Sequence, residues 1–590
     1  MSVSRQALED AFRLALAHQQ SGQPAEAERL YRQILEADPR HGEALQQLAL
    51  LARNHGYLEE AEGLLRQAVA AAPRNAEFHN TLGTIYAALG KSAEAEQAYR
   101  LAIKRRAGYA QAMSNLAALL NDALRHAEAI EWAGRAAAIR PDYAPALNNL
   151  ALALTRQGRV EEAVQAYRRC VAAEPRRWPL WSNLLVGMHY LPEVTAQELF
   201  EMHLHVGRGL SEGLGTPAPH ANRRDAGRRL RVGYVSADFR MHSVAHFALP
   251  ILENHDRSAV EVFCYSDVTH PDAVTERAKS LADGWRPIGG LSDDAAAQAV
   301  RQDAIDILVD LSGHMSGRLA LFARKPAPLQ LTYLGYPDTT GLPAMDYRLT
   351  DSIADPAGEA DRFATEKLVR IDPCAWCYAP VHATPEVAAP RSGAITFGSF
   401  NILAKLSAPT LETWGSLLRE LPGSRLKLKS FAANEPAVRE QLARRLRDQG
   451  IEPARLEVLG HQDDAREHLA RYGEIDIALD PFPYNGTTTT CEALWMGVPV
   501  VTLAGARHAG RVGASLLRGV GLEELIAKDR ESYVAATLAL ASDRSRLAGL
   551  RAELRGRMQR SPLMDAAGFC RRLEAVYREM WHGWCSQARL

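Results

Sequence analysis

The sequence lacks the features that mark several large classes of protein. Its 590 residues include only seven cysteines, scattered and odd in number, so we expect no disulfide framework and predict the reducing cytoplasm as its compartment. No apolar run approaches the roughly 20 residues needed to span a bilayer. The first residues, Met1 to Asp10, carry acids and lack the apolar core of a signal peptide. A net charge of -1 gives no general attraction for nucleic acid or an anionic membrane, so neither is expected as a partner.

Several motifs of catalysis and metal binding are also missing. There is no Walker lysine motif, no G-x-G-x-x-G after a strand, no nucleophile elbow and no Asp-x-Asp to hold a metal diphosphate. The one C-x-x-C, Cys374 to Cys377, has no second pair to complete a zinc site. His242 and His246 have the spacing of helical metal ligands but lack the glutamate of a zincin motif. The predicted site therefore contains no metal.

What the chain does contain is a repeat of 34 residues through its first third. Glycine, alanine, leucine and proline recur at this interval, as Gly22, Gly56, Gly90 and Gly158 (with Leu124 between), Ala27, Ala61, Ala95, Ala129 and Ala163, Leu48, Leu82, Leu116, Leu150 and Leu184, and Pro39, Pro73, Pro141 and Pro175. Glycine permits a tight turn, alanine lets two helices pack closely, and proline ends the second helix. This pattern is typical of tetratricopeptide repeats. We predict a helical superhelix over residues 1–207, whose last part is a partial helix pair.

The residue before each repeated leucine is polar, and in three successive repeats it is asparagine: Asn115, Asn149 and Asn183. Solenoid proteins bind extended chains along a concave surface. Amides at a fixed position in successive hairpins can pair with the backbone of a bound peptide whatever its sequence. The alternative is that these amides form hydrogen bonds from helix to helix inside the array. The spacing alone leaves both interpretations open.

After a linker rich in Gly, Pro and Arg, residues 208–229, short apolar strands alternate with helices. The predicted strands are Leu230–Ser236, Val260–Ser266, Asp306–Leu311, Gln330–Leu334, Ala394–Phe400, Arg425–Lys429, Leu456–Leu459, Ile475–Leu479 and Val498–Leu503. Such alternation predicts parallel sheets covered by helices, here in two Rossmann-like lobes over residues 230–390 and 391–590. Ligands of such sheets bind beyond the carboxyl ends of the strands.

The most informative strand end is Asp480, where a Pro- and Gly-containing loop leads to four threonines, Thr487, Thr488, Thr489 and Thr490. Threonine hydroxyls, backbone N–H groups and the helix dipole make a helix start an anion site. Glu492, in the first turn, can bridge the two hydroxyls of a ribose. The alternative is an ordinary threonine cap followed by an acidic first turn.

Five further residues lie at or just after strand ends, where chemistry is expected. Lys405, just past the first strand of the second lobe, can face the same anion and neutralise a departing diphosphate. Asp238 and His242 follow the first strand of the first lobe, where a catalytic acid or base can project into a cleft. Asp310 and His314 end another strand and are weaker candidates.

At these residues the chain resembles the O-GlcNAc transferase and SPINDLY family, glycosyltransferase family 41. The motifs that carry the resemblance are the repeats, Gly-Tyr-Val-Ser-Ala-Asp-Phe with His242, Leu334-Gly-Tyr-Pro337, Met345-Asp-Tyr, Phe397-Gly-Ser-Phe-Asn with Lys405, Asn485-Gly-Thr-Thr-Thr-Thr-Cys-Glu492, and Ser561-Pro-Leu. The resemblance implies a GT-B fold and inverting, metal-independent transfer of a sugar from a nucleotide sugar to Ser or Thr hydroxyls of proteins. No other cofactor is implied.

The resemblance also implies roles for individual residues. Lys405 neutralises the donor diphosphate, and Thr488 and Thr489 hold it from the helix start. Glu492 takes the place of an acid on the ribose, and His468 matches a histidine near the nucleoside base. His242 matches a histidine proposed as the general base.

Three positions depart from the animal O-GlcNAc transferases, which carry histidine in place of Thr487, aspartate in place of Glu492 and tyrosine in place of Ala404. The plant SPINDLY branch, whose donor is GDP-fucose, and many bacterial members resemble this chain there. We expect a protein O-glycosyltransferase with UDP-GlcNAc as the leading donor and GDP-fucose as the alternative. A catalytically silent repeat scaffold is the alternative from another class, and the presence of Lys405, His242 and the threonines argues against it.

Overall fold

The computed structural model describes residues 4–315, 318–462 and 464–586. The chain divides into two compact units. The first runs to Leu154 and includes Arg168–Glu174, and the second comprises Thr155–Tyr167 and the chain from Pro175 onward.

Helices account for the first part of the chain and are joined by short turns. Their bounds are α1 Arg5–Gln20, α2 Pro24–Ala37, α3 Gly42–Asn54, α4 Leu58–Ala71, α5 Ala76–Ala88, α6 Ser92–Arg105, α7 Ala110–Asp122, α8 His126–Ile139, α9 Ala144–Arg156, α10 Val160–Ala173, α11 Trp178–Met188 and α12 Ala196–Ser211. The repeated alanines at 27, 61, 95, 129 and 163 are all completely buried, and the repeated glycines have φ between 73° and 84°. These are the roles expected of tetratricopeptide hairpins, and the predicted helical repeats are confirmed.

Leu124 occupies the slot of the repeated glycine in the turn between α7 and α8. It keeps the left-handed conformation of the other turns, with φ of 57°, and its side chain is 42% exposed. A residue with a Cβ pays about 1–2 kcal/mol for this conformation. The turn therefore holds strain that the side chain does not offset by burial.

The second unit contains two parallel sheets. Their strands are β1 Leu230–Ser236, β2 Val260–Ser266, β3 Gly284–Pro287, β4 Ile307–Asp310, β5 Leu329–Thr332, β6 Tyr347–Thr350, β7 Lys367–Arg370, β8 Thr396–Ser399, β9 Arg425–Lys429, β10 Leu456–Leu459, β11 Ile477–Leu479, β12 Val500–Leu503 and β13 Ile526–Ala527. The helices between and after them are α13 Ala245–Asn254, α14 Ala273–Leu281, α15 Asp293–Gln302, α16 Leu319–Ala323, α17 Ala408–Glu420, α18 Pro436–Arg447, α19 Ala465–Ala470, α20 Thr488–Trp495, α21 Val512–Gly519, α22 Arg530–Ser542, α23 Arg544–Gln559 and α24 Ala566–Ser586.

The order of the strands confirms the prediction of two Rossmann-like lobes. In the described residues one sheet has the order β3-β2-β1-β4-β5-β6-β7 and the other β10-β9-β8-β11-β12-β13, and the strands pair in parallel. Four predicted strands, β1, β2, β9 and β10, have the expected bounds, and the other five are shorter than predicted. The sequence did not predict β3, β6, β7 and β13, which have two to four residues each.

Helices α11 and α12 belong to the second unit, so the boundary between units differs from the one predicted at residue 207. The reason is a close backbone contact. A Cβ placed on Gly207 of α12 would lie 1.8 Å from the carbonyl oxygen of Gly341, and one placed on Gly341 would lie 2.0 Å from that of His203. Only glycine permits this approach, which fixes α12 against the first lobe.

Each lobe has its own core, and the last helix of the chain contributes to the core of the first lobe. The core of the second lobe is built around Trp414 and the buried faces of β8 and β11. Helix α24, which the sequence assigned to the second lobe, packs Phe569, Tyr577 and Trp581 into the core of the first lobe. Within the described residues, we find no helix that is both long enough and apolar enough to cross a bilayer.

Replacing Leu124 with glycine should stabilise the first unit. The substitution removes the strain at φ 57° and costs about 0.5–1 kcal/mol of chain entropy, so a net gain of up to about 1 kcal/mol is expected. The measurement is the thermal unfolding midpoint, which should rise by a few degrees. The matched control is Ala123→Gly, because Ala123 has φ of -79° and carries no such strain. A lower midpoint for Leu124→Gly than for the control would contradict this explanation.

Candidate active site

The loop after β11 is organised by the buried carboxylate of Asp480. Its two oxygens accept hydrogen bonds from the Gly486 N–H at 2.6 Å and the Thr502 hydroxyl at 2.7 Å. A Cβ on Gly486 would lie 2.4 Å from the Thr489 hydroxyl oxygen, so the turn requires glycine there. The loop thus turns back sharply and delivers the chain to the start of α20.

Helix α20 begins at Thr488, with Thr487 directly before it. Its first intrahelical bond runs from the Cys491 N–H to the Thr487 carbonyl at 3.1 Å. The N–H groups of the helix residues before Cys491, Thr488 to Thr490, are therefore available to a ligand. The Thr489 hydroxyl donates to the Asn401 side-chain oxygen at 3.1 Å, and the buried Thr490 hydroxyl donates to the Gly486 carbonyl at 3.2 Å. These two hydroxyls fix the helix start, whereas Thr487 and Thr488 are partly exposed and can meet an anion.

Lys405 ends a short 3-10 helix that follows β8 and reaches the same loop. Its Nζ donates to the Asn485 carbonyl at 2.6 Å and lies 4.3 Å from the centre of the Tyr484 ring. Burial lowers the pKa of Lys405, and the negative charge of Asp480 opposes the shift. The structure therefore brings the predicted lysine to the loop that leads into the predicted threonines. Tyr484 was not singled out in the sequence, although it adjoins the Asn-Gly-Thr run.

Glu492 and His468, which the sequence assigned to the ribose and the base, contact each other. The His468 Nε2 lies 3.1 Å from a carboxylate oxygen of Glu492, which also accepts from the Tyr472 hydroxyl at 3.0 Å. Lys429 donates to the other ring nitrogen of His468 at 2.8 Å, which places the proton of a neutral ring on Nε2. Burial acts to raise the pKa of Glu492, but the hydrogen bonds from His468 and Tyr472 act in the opposite direction, and the pKa is lowered. The acid is therefore ionised and oriented.

In the first lobe, Asp238 and His242 also lie together. The His242 Nδ1 is 3.5 Å from an Asp238 carboxylate oxygen and accepts the Val244 N–H at 3.3 Å. Burial lowers the pKa of His242, and the charge of Asp238 opposes this. The imidazole is 38% exposed, so part of the ring is accessible from solvent.

Three residues that link the two halves of the site, His246, Tyr378 and His382, were not among the predicted site residues. His246, one turn beyond His242, stacks on Tyr378 with ring centres 5.7 Å apart and donates from Nδ1 to the Ala379 carbonyl at 3.2 Å. Burial lowers the pKa of His246, and the charge of Glu492 opposes that shift. His382 packs edge-on against His246, and among the described residues neither of its ring nitrogens has a hydrogen-bond partner. Tyr378 and His382 lie where the sequence showed only a connecting segment, and no motif pointed to them.

The asparagines that were predicted to bind a peptide form hydrogen bonds within the protein. The Asn115 amide donates to the Asn80 side-chain oxygen at 3.0 Å, and the Asn149 amide donates to the Ser114 carbonyl at 2.9 Å. These are helix-to-helix bonds, although each amide keeps further hydrogen-bonding capacity. Asn183 is exposed on α11, in the second unit. Peptide binding by these residues stays a prediction.

The weaker candidates Asp310 and His314 are buried away from solvent. Asp310 accepts the Ser312 and Gly313 N–H groups at 3.0 Å and 2.9 Å, and His314 lies between the Ser182 hydroxyl and the Thr340 carbonyl. Both side chains therefore stabilise the local fold.

A group near them, His189, His203 and Asp338, has the composition of a metal site. The Tyr336 hydroxyl lies 3.0 Å from the Nε2 of His189 and 2.8 Å from that of His203, so the two rings share a protein partner.

Comparisons with known proteins agree with this geometry. The model of glycosyl transferase family 41 matches residues 216–375 and 381–573, and tetratricopeptide models match 18–82, 76–109 and 144–177. A SPINDLY protein of Solanum lycopersicum, named as a probable UDP-N-acetylglucosamine–peptide N-acetylglucosaminyltransferase, is 42% identical over 411 residues, which are 68% of this chain and 44% of that protein. The SEC protein of Arabidopsis thaliana, which carries the same enzyme name, is 34% identical over 386 residues, or 63% and 39% of the two chains.

Among solved structures, a mutant O-GlcNAc transferase of Thermobaculum terrenum superposes with a TM-score of 0.81 at 36% identity. The match covers 87% of this chain and 98% of that one. The chain spans less than half the length of the two curated plant relatives.

The Lys405 ammonium should titrate below the range of an ordinary lysine, about 10.4, because burial disfavours its charged form. The measurement is an NMR pH titration of the protein after reductive methylation with ¹³C-formaldehyde. The Lys405→Arg variant assigns the signal by its loss. A signal for Lys405 that titrates at or above the ordinary value would contradict the buried environment described for it.

Proposed function

Because the chain belongs to glycosyltransferase family 41, we propose that it transfers N-acetylglucosamine from UDP-GlcNAc to Ser and Thr hydroxyls of proteins held by the repeats. The observation that carries this proposal is the convergence of Lys405 and the start of α20 on the loop at Asn485. A partly buried ammonium beside a helix start is an environment for a diphosphate. The names of the relatives support UDP-GlcNAc as the donor.

In the proposed reaction, the acceptor hydroxyl oxygen attacks the anomeric carbon while the bond from that carbon to the diphosphate oxygen breaks. Negative charge grows on the departing diphosphate, where the ammonium of Lys405, the first amides of α20 and the hydroxyls of Thr487 and Thr488 stabilise it. This charge can be offset without a metal, so we propose that none is required. UDP leaves with the electron pair of the broken bond.

The other proposed roles follow from the remaining contacts. The ionised Glu492, held by His468 and Tyr472, can bind the two ribose hydroxyls. Lys429 fixes the ring of His468, which can then lie against the nucleoside base. His242, whose pKa is lowered by burial, can take the proton of the acceptor hydroxyl near neutral pH. The seven free cysteines fit work in a reducing cytoplasm.

The proposal is tested by incubating the purified full chain with radiolabelled UDP-GlcNAc and a panel of Ser- and Thr-containing peptides, with and without excess EDTA. We expect label in peptide in both conditions. Loss of transfer that Mn²⁺ or Mg²⁺ restores would contradict the metal-independent mechanism. Label from GDP-fucose instead would make the chain a fucosyltransferase, and neither transfer nor hydrolysis of either donor would make it a scaffold.

Replacing Lys405 with alanine should lower turnover by about a hundred- to thousandfold, since loss of one electrostatic stabiliser costs roughly 2.7–4 kcal/mol of barrier. The melting temperature should fall somewhat, because the buried carboxylate of Asp480 loses a compensating positive charge, so circular dichroism checks that the variant is folded. The measurement is kcat at saturating donor, with the exposed Lys528→Ala as the matched control.

Glu492→Gln provides the contrast to that variant. It should weaken donor affinity and leave kcat nearly unchanged, because a ribose contact is made equally in the ground and transition states. A normal kcat for Lys405→Ala would contradict the proposed leaving-group site.

A further inference from the structure

The first unit contains a groove with a volume of about 730 Å³ along helices α3, α5 and α7. Among the described residues that line it, the charged side chains are Arg53, Arg106, Arg140 and Glu77. Arg106 and Glu77 form an ion pair at 3.0 Å. The lining therefore carries two positive charges beyond this pair, although the whole chain has a net charge of -1.

Two of these arginines repeat with the period of the hairpins, and each is held against an aromatic ring. The guanidinium of Arg106 lies 4.4 Å from the centre of the Tyr109 ring, and that of Arg140 lies 4.4 Å from the Tyr143 ring. Stacking restricts the planar group and leaves its N–H edges available to a carboxylate. Arg140 thus presents a positive charge to the groove, whereas the charge of Arg106, one repeat earlier, is offset by Glu77.

The rest of the lining is neutral and can bind a peptide backbone. The Gln46 amide donates to the Thr81 hydroxyl at 2.7 Å, and the Asn115 amide donates to the Asn80 oxygen at 3.0 Å. A primary amide has two N–H donors and an oxygen that accepts twice, so each pair retains capacity for another chain. These groups do not discriminate between peptide sequences, whereas the arginines respond to charge.

We propose that this groove selects acceptors that carry an acidic stretch of extended chain near the modified Ser or Thr. The inference rests on the proposed function, because it concerns the choice among protein acceptors. Aspartate and glutamate side chains would meet Arg53 and Arg140, the two charges beyond the Arg106–Glu77 pair, while their backbone meets the amides. A nucleic acid strand, which the arginines would also attract, is the alternative occupant and is an outcome of the test.

The test uses the full chain and peptides that share one acceptor segment and differ in a tail of about 12 residues, roughly 40 Å when extended. The tails are acidic, neutral or basic and are attached at either end of the segment. Transfer is measured as kcat/KM, and binding of fluorescein-labelled peptides is measured separately by anisotropy. We expect the acidic tail to bind about tenfold more tightly than the neutral tail at about 0.05 M salt, with the difference mostly lost near 1 M, where screening is strong.

The variant Arg53→Ala/Arg140→Ala should raise KM for the acidic peptide about tenfold and leave that for the neutral peptide within about twofold. Arg53→Lys/Arg140→Lys keeps the charge and should recover part of the effect. The matched control is Arg74→Ala/Arg105→Ala, which removes two exposed arginines of the same unit that do not line the groove. Circular dichroism of each variant checks that the helices are intact.

Equal binding of acidic and neutral tails, or an equal loss in the control variant, would overturn the inference. Displacement of the acidic peptide by a uridine oligonucleotide at a similar concentration would overturn it in favour of a nucleic-acid groove. If no peptide is glycosylated, the proposed function fails, whereas transfer without preference for charge rejects only the acidic selectivity. Selective binding without transfer supports the groove and rejects the enzymatic proposal.

Discussion

The candidate site depends on the burial of one carboxylate, that of Asp480. Its oxygens bind the Gly486 N–H and the Thr502 hydroxyl, and Gly513 passes so close that a Cβ there would lie 2.5 Å from one of them. This arrangement folds the loop so that the Asn485 carbonyl faces Lys405 and the threonines begin a helix. An acidic side chain therefore has a structural role at the centre of a site that is proposed to bind an anion, and the lysine keeps the local charge balanced.

Further from Asp480, acidic and basic side chains lie next to one another. Glu492 is enclosed by His468 and Tyr472, Lys429 lies behind His468, and the charge of Glu492 reaches His246 in the other lobe. Each buried charge is thus satisfied by polar neighbours before any ligand binds. A site prepared in this way needs little reorganisation when charge moves during a reaction, which is the condition under which electrostatic stabilisation is most effective.

The sequence predicted what depends on local pattern. Period and residue type identified the hairpins, and β-branched runs identified the long central strands. The strands it missed have two to four residues, too few to show a period, and three of them, β3, β7 and β13, lie at sheet edges. His382 was missed because its importance comes from proximity to His246, which no spacing encodes. The side-chain amides of Asn115 and Asn149 form hydrogen bonds between helices. Spacing in the sequence could not distinguish such bonds from a free ladder, because the difference depends on how the helices pack.

The contact between Gly207 and Gly341 has a consequence for how the protein can be divided. Helix α12 lies with its backbone directly on the first lobe, and His203 from that helix bonds to the Tyr336 hydroxyl in the lobe interior. A truncated protein starting at the 208–229 linker would strip this cover and open the imidazole-lined interior to water. A fragment that keeps the first lobe covered must therefore include α12. The last helices that continue the repeats in sequence serve, in three dimensions, as the outer wall of the first lobe.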